Sequence, residues 1–284
     1  MTTQVRRDTH SNTSRVANTH PSGIRLRPLA QFERGEDWRL TTLHDRADYL
    51  LIWITKGQGR TILSGQRRGL APHTALLIPP RTLFSLDLMR HAGALILTLS
   101  ADLATDLALP HSAELLRLRD GQDQAEMTQR LEAIHRELTS PLPHTTDALK
   151  AHIALLSVAL RRHLDTREPP PRPTGSARLT EAYCGLISQH YASGLSVGDY
   201  ARMLGVTTPH LTRCCKEAAG HTAAHILSAR ALFAARDMIE RSDLPIQDIA
   251  AQLHFGTAAY FSRFVTKHTG ASPLVLRKRQ RAKV

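Results

Sequence analysis

A chain of 284 residues with 42% hydrophobic and 22% charged side chains has the apolar content for packed cores, in one large domain or two ordinary ones, which excludes a wholly disordered protein. No run approaches the roughly 18 apolar residues that cross a bilayer, which speaks against a membrane anchor. The three cysteines, Cys184, Cys214 and Cys215, make no Cys-x-x-Cys pair, which rules out a disulfide framework and fits a reducing compartment. A formal charge of +12 calls for an anionic partner: nucleic acid, an acidic membrane surface or an acidic ligand.

In chain order, residues 1–22 are polar, carry Arg6, Arg7 and Arg15, and lack a following apolar stretch. They read as a flexible tail rather than a secretory signal, so the expected location is the cytoplasm. Residues 49–55 (YLLIWIT) form a short run rich in aromatic and β-branched side chains, closed by Lys56-Gly57-Gln58-Gly59. Residues 60–63 resume the pattern, Ser64-Gly65 turns, residues 75–78 give another apolar run before Pro79-Pro80, and residues 95–99 give one more. Short strands between Gly and Pro turns predict an antiparallel sandwich or barrel over 23–110.

The period then changes. Leu115, Leu118, Met127, Leu131, Ile134 and Leu138 fit helical spacing, broken near Gly121. Leu149, Ile153, Leu156, Leu160 and Leu164 stripe a second helix beyond Pro141 and Pro143. Such a stripe packs on its own domain or on the matching helix of a second copy; the second reading makes 111–168 a helical dimerisation segment and the protein a homodimer. Pro169, Pro170, Pro171 and Pro173 then define a semi-rigid linker over 169–176, and a second domain follows over 177–280. From Gly175 onward there are 14 Lys or Arg against 7 Asp or Glu, with Arg277, Lys278, Arg279, Arg281 and Lys283 crowded at the end.

Within that domain the chain repeats itself. Residues 197–213 read VGDYARMLGVTTPHLTR and residues 246–263 read IQDIAAQLHFGTAAYFSR. With one residue inserted in the second turn, they share Asp199/Asp248, Ala201/Ala250, Leu204/Leu253, Thr207/Thr257 and Arg213/Arg263. Each has the spacing of a helix-turn-helix. Ala201 is small where a second helix crosses, Gly205 can take the left-handed turn, and Leu211 anchors the recognition helix. Thr207 can cap that helix, with Pro209 in its first turn where a missing N–H is harmless. Residues 222–241 are helix-forming, and about 20 residues at 1.5 Å each span roughly 30 Å. Successive major-groove segments on one face of DNA lie roughly 34 Å apart, so one connecting helix could hold two recognition helices near that spacing.

Residues 179–277 resemble the DNA-binding domain of the AraC/XylS family of transcription regulators. The carrying stretches are LSVGDYARMLGVTTPHLTR, AARDMI, SDLPIQDIAAQLHF, AAYFSRF and TGASP. The chain departs from the family pattern at His254 (usually glycine), Gly256-Thr257, Cys215 and Leu276. The resemblance implies double-stranded DNA and RNA polymerase as partners. Residues on or near the exposed start of the first recognition helix are Thr208, Pro209, His210, Thr212, Arg213 and Lys216; those of the second are Thr257, Ala258, Ala259, Ser262, Arg263 and Lys267. Arg213 suits a bidentate contact to guanine, whereas Ala258 and Ala259 offer only methyls, so the second helix is expected mainly to position the protein on phosphates. The competing reading of Arg213 and Arg263 is a structural salt bridge. Cys214 and Cys215 read as small core residues. His221 and His225, four apart, have a metal-binding spacing without a third ligand.

The strand-rich half resembles the cupin-like effector domain that many such regulators carry, through YLLIWITKGQGRTILSG and HTALLIPPRTLFSL. It lacks the His-x-His cluster of metal-holding cupins, so no metal, no cofactor and no catalytic residues are expected; the competing reading is a cupin-type enzyme fused to a DNA-binding domain. Arg39, His44, Trp53 and Arg81 are the candidate effector-binding residues, their cations and aromatic wall suiting a small anionic or aromatic molecule. The expected fold is therefore α+β and multidomain: a β-barrel with two following helices, then an all-α domain with two helix-turn-helix units.

Overall fold

The structure, a computed structural model, describes residues 23–32, 37–140 and 142–282; the stretch 1–22 read as a tail lies outside the described residues. Strand β2 (Tyr49–Lys56) explains the plan of the first half. Successive side chains of a strand point to opposite faces, and here both faces are covered. Leu50, Ile52 and Ile54 face one apolar cluster, while Tyr49, Leu51 and Trp53 face another. A strand buried on both sides reads as an unbroken apolar run, which is why YLLIWIT shows no alternation.

β2 is central in a five-stranded antiparallel sheet ordered β1 (Arg25–Pro28), β7 (Gly93–Leu99), β2, β5 (Thr74–Ile78) and β8 (Glu114–Arg117). A three-stranded sheet, β4 (Gln66–Leu70), β3 (Gly59–Leu63) and β6 (Phe84–Leu88), faces it. Leu50, Ile52, Leu63, Leu76, Phe84 and Ile96 fill the space between them. The two sheets stay open, a double sheet rather than a closed barrel. Short helices α1 (Leu29–Phe32) and α2 (Trp38–Thr41) lie before β2, and α3 (Ala101–Asp106), capped by Ser100, follows β7.

Helices α4 (Gly121–Thr139) and α5 (Thr145–Thr166) cover the outer face of the larger sheet. Two expectations need correction here. Leu115 and Leu118 do not begin a helix: 114–117 is strand β8, paired with β5, and α4 starts only at Gly121, capped by the Asp120 carboxylate. The stripe Leu149, Ile153, Leu156 and Leu160 is fully buried against the chain's own sheet and α4, with Leu164 packed at its end. Those side chains are consumed within one copy and cannot form a seam with another.

Residues 169–174 carry no regular structure, and α6 (Gly175–His190) begins inside the stretch read as linker, capped by Thr174. The rest is helical: α7 (Val197–Met203), α8 (Thr208–Ala219), α9 (Ala223–Arg241), α10 (Ile246–Gln252), α11 (Ala258–Thr269) and α12 (Pro273–Arg281). Two cores form. Tyr183, Tyr200, Leu211 and Ile226 belong to the first, and Ala235, Ile249, Phe261 and Val265 to the second. Helix α9 supplies side chains to both, so the two units share one rigid rod.

Candidate nucleic-acid interface

In the first unit, Ser196 opens α7 with a capping box: its hydroxyl accepts from the Asp199 N–H, and the Asp199 carboxylate accepts from the Ser196 N–H at 2.9 Å. The Ser196 hydroxyl also donates to that carboxylate at 2.7 Å, and this bond together with the one from the Ser196 N–H holds the Asp199 carboxyl below its ordinary range. Ala201 is buried where α8 crosses α7, and Gly205 turns the chain at φ +68°. Thr207 then caps α8, accepting from the His210 N–H, with Pro209 in the first turn. Leu211 is wholly buried beneath the helix.

The second unit repeats this geometry by slightly different means. Pro245 stands at the cap of α10 and provides no side-chain bond. His254 occupies the turn at φ +55°, the left-handed conformation that a glycine would hold more cheaply. Thr257 caps α11, accepting from the Tyr260 N–H at 3.1 Å.

The two recognition helices, α8 and α11, present their outer faces to solvent. Thr208, Pro209, Arg213 and Lys216 are exposed and His210 and Thr212 half-buried; Thr257, Ala258, Ala259, Arg263 and Lys267 are exposed and Ser262 half-buried. Among the described residues neither Arg213 nor Arg263 makes an ion pair; the Arg213 guanidinium instead donates to His210 Nδ1 at 3.0 Å. Both cations are thus open to an incoming polyanion. Cys214 and Cys215 are buried, and burial pushes the Cys215 thiol up to about 11, so it stays protonated and inert. His221 and His225 stack ring on ring at 4.3 Å. At the C-terminal end Arg277 turns inward and donates to the carbonyls of Ile239 and Leu244, tying α12 to α9, while Lys278 and Arg279 are exposed.

The four candidate effector residues do not converge on one pocket. Trp53 is buried in the outer core, its indole N–H donating to Thr128 Oγ1 at 3.1 Å, and Arg81 is exposed at φ +59°. Arg39 and His44 face the other half of the protein. Arg39 pairs with Asp237 and Glu240 of α9. His44 is buried, its ring stacked on Phe233 at 4.1 Å and beside Phe84 at 4.4 Å. Burial drives its pKa down to about 3, so the imidazole is neutral, and Nδ1 donates to the Thr42 carbonyl at 2.9 Å. Asp45 pairs with Arg230, whose guanidinium lies 3.5 Å over the Tyr191 ring, and Trp38 is flanked by Arg39 and Arg236. Residues 38–45 thus clasp α9, the rod between the two DNA-reading units. Sequence reasoning missed this contact, because nothing in one chain pairs residue 45 with residue 230.

Paired recognition helices, both open to solvent and joined through one rod to a ligand-binding double sheet, define a ligand-regulated, DNA-binding transcription regulator. Comparison with known proteins agrees. The AraC-like ligand binding domain matches residues 29–163, and a helix-turn-helix domain matches residues 200–279. The chain belongs to the AraC family of regulators. It is 22% identical to the uncharacterized HTH-type transcriptional regulator YfiF of Bacillus subtilis, over 84% of this chain and 79% of that protein. It is 29% identical to the probable transcription factor PqrA of Proteus vulgaris over 30% of this chain and 70% of that protein. Among solved structures, ToxT from Vibrio cholerae O395 aligns over 91% of this chain and 97% of its own at 14% identity and a TM-score of 0.42. Among the described residues no helix is long and apolar enough to cross a membrane.

Proposed function

We propose that α8 and α11 enter consecutive major-groove segments on one face of duplex DNA, with Arg213 reading base edges and the second helix, through Arg263 and Lys267, gripping mainly phosphates. The carrying observation is that both helices expose their cationic faces while sharing α9, whose 19 residues span about 28 Å. That length is close to the roughly 34 Å between successive groove segments. We read the protein as a cytoplasmic regulator that acts on RNA polymerase at a promoter and has no catalytic function of its own.

For the effector we propose the cleft of about 250 Å³ at the mouth of the double sheet, between α1, α2 and β6. Its walls are Leu29, Leu40, Leu86, Leu88 and Met89, with Asp37, Asp87 and Arg90 at the rim. Apolar walls favour a small aromatic molecule. Helix α2 gives the route of control: Leu40 and Thr41 line the cleft, whereas Trp38 and Arg39 hold α9. Ligand in the cleft shifts α2 and through it the rod that spaces the two recognition helices.

Binding to promoter duplexes tests this reading. Neutralising six to eight phosphates makes log affinity fall against log salt with a slope of about −5 to −7. A flat salt dependence, or no preference for any sequence over competitor DNA, would overturn it.

A further inference from the structure

A cleft of about 500 Å³ lies between the smaller sheet and the first recognition helix, lined by Arg60, Arg67, Arg68, Lys216, Glu217 and Gly220 among others. Four of those six residues are cationic and one is acidic. Arg60 is shared with Asp87 at 3.0 Å, and Glu217 accepts from the Ser176 hydroxyl at 2.7 Å. Arg68 meets only the neutral Gln66 amide, and among the described residues Arg67, Arg68 and Lys216 make no ion pair. Arg67 and Arg68 are exposed on β4, an edge strand.

The hairpin that carries them is fixed to the DNA-binding half. Its turn, Ser64-Gly65, lies against α6 so closely that a Cβ on Gly65 would come within 2.7 Å of Thr180 Cγ2 and 2.8 Å of Cys184 Sγ. Ile62, beside that turn, packs into the same core as Tyr183 and Leu211. At the C-terminal end of α8 the Arg67 guanidinium comes within 3.6 Å of where a Gly220 side chain would begin. Burial, His225 and the Arg67 charge at this same end of the helix hold His221 below its ordinary range.

Arg213 and Lys216 share the exposed face of α8, and Gly220 stands seven residues beyond Arg213, about 10 Å along the axis. The major groove is about 12 Å wide. With Arg213 at the base edges, the C-terminal end of α8 therefore reaches the wall of the groove, where the strand backbone runs. Cations placed there meet phosphates.

Resting on the DNA-binding reading above, we infer that the β3–β4 hairpin of the effector-binding half is a third DNA contact, with Arg67 and Arg68 joining Lys216 on the phosphates that flank the groove read by α8. The sheet domain then adds affinity without sequence preference and lengthens the footprint on the side of the first unit.

The test compares the full-length protein with Arg67→Ala/Arg68→Ala and Arg67→Lys/Arg68→Lys variants on one preferred duplex across a salt series, with hydroxyl-radical footprinting. The alanine pair is expected to flatten the salt slope by about 1.8, two phosphates at about 0.9 each, to weaken all sequences alike, and to lose protection on one flank only. The lysine pair is expected to restore the slope. An unchanged slope and footprint in the alanine pair overturns the inference while leaving sequence-selective binding intact. Loss of that binding by the wild-type chain overturns the parent reading instead. Inorganic phosphate titrated calorimetrically without DNA is expected to give no heat at millimolar concentration; saturable binding abolished by the alanine pair would assign the cleft to a free anion and overturn the inference.

Discussion

Arg213 and Lys267 are both exposed cations on recognition helices, and the proposed reading gives them different work. Arg213 is steadied by His210 in the part of α8 proposed to meet base edges; Lys267 lies in the last turn of α11. Arg213→Ala is expected to cost about 1–3 kcal/mol at one base pair and to relax preference there, read by competition among single-base variants of the site. Lys267→Ala is expected to weaken all sequences alike and to reduce the salt slope by about one. His44 makes a second case at this scale. Its pKa near 3 in the fold lies below the ordinary 6.5 of an unfolded chain. The unfolded state therefore binds the extra proton between those values, and stability falls as pH drops below 6.5, at most about 1.4 kcal/mol per unit. By pH 5 the loss is about 2 kcal/mol, measured as a lower denaturation midpoint; His44→Phe is expected to remove this part of the pH dependence.

At the level of elements, the twin helix-turn-helix units were readable because each is local. Cap, small crossing residue, turn and anchor all fall within 18 residues, and the chain states them twice. The two copies differ where one lacks a cap. Ser196→Ala removes the hydroxyl cap of α7 while keeping the backbone N–H bond to the Asp199 carboxylate, and is expected to cost about 1 kcal/mol, seen as faster hydrogen exchange in α7 than in α10 of the same variant relative to wild type. The elements that escaped notice lack a local signal. β4 reads Gln-Arg-Arg-Gly-Leu, because an edge strand beside an open cleft buries little beyond Leu70 at its end. β8 reads as helix in the sequence because Leu115 and Leu118 stand three apart, a spacing that a short strand and its exit also allow. The α5 stripe was legible as a stripe, but whether its partner is the same copy or another depends on the tertiary fold.

For the whole molecule, the contact between the halves is the feature no local pattern shows, since its partners lie far apart in the chain. Asp45 and Arg230 are each about nine-tenths buried and hydrogen-bonded. Asp45→Ala would leave the Arg230 guanidinium enclosed beside Tyr191 without its counter-charge, at a cost of about 3–5 kcal/mol. The expected outcome is that one calorimetric transition splits in two, the sheet half and the helical half melting separately; a single unshifted transition would mean that the pair does not join them.

The clasp on α9 also limits how freely the halves can be exchanged. Phe233, Arg230, Asp237 and Glu240 form a strip complementary to residues 38–45 of this particular sensor. Grafted onto a foreign sensor, the reader half would carry that strip unmatched, with a ring uncovered and charges unanswered. Sensor and reader in this chain are therefore constrained to change together, and a working chimera has to transplant the strip along with the domain it fits.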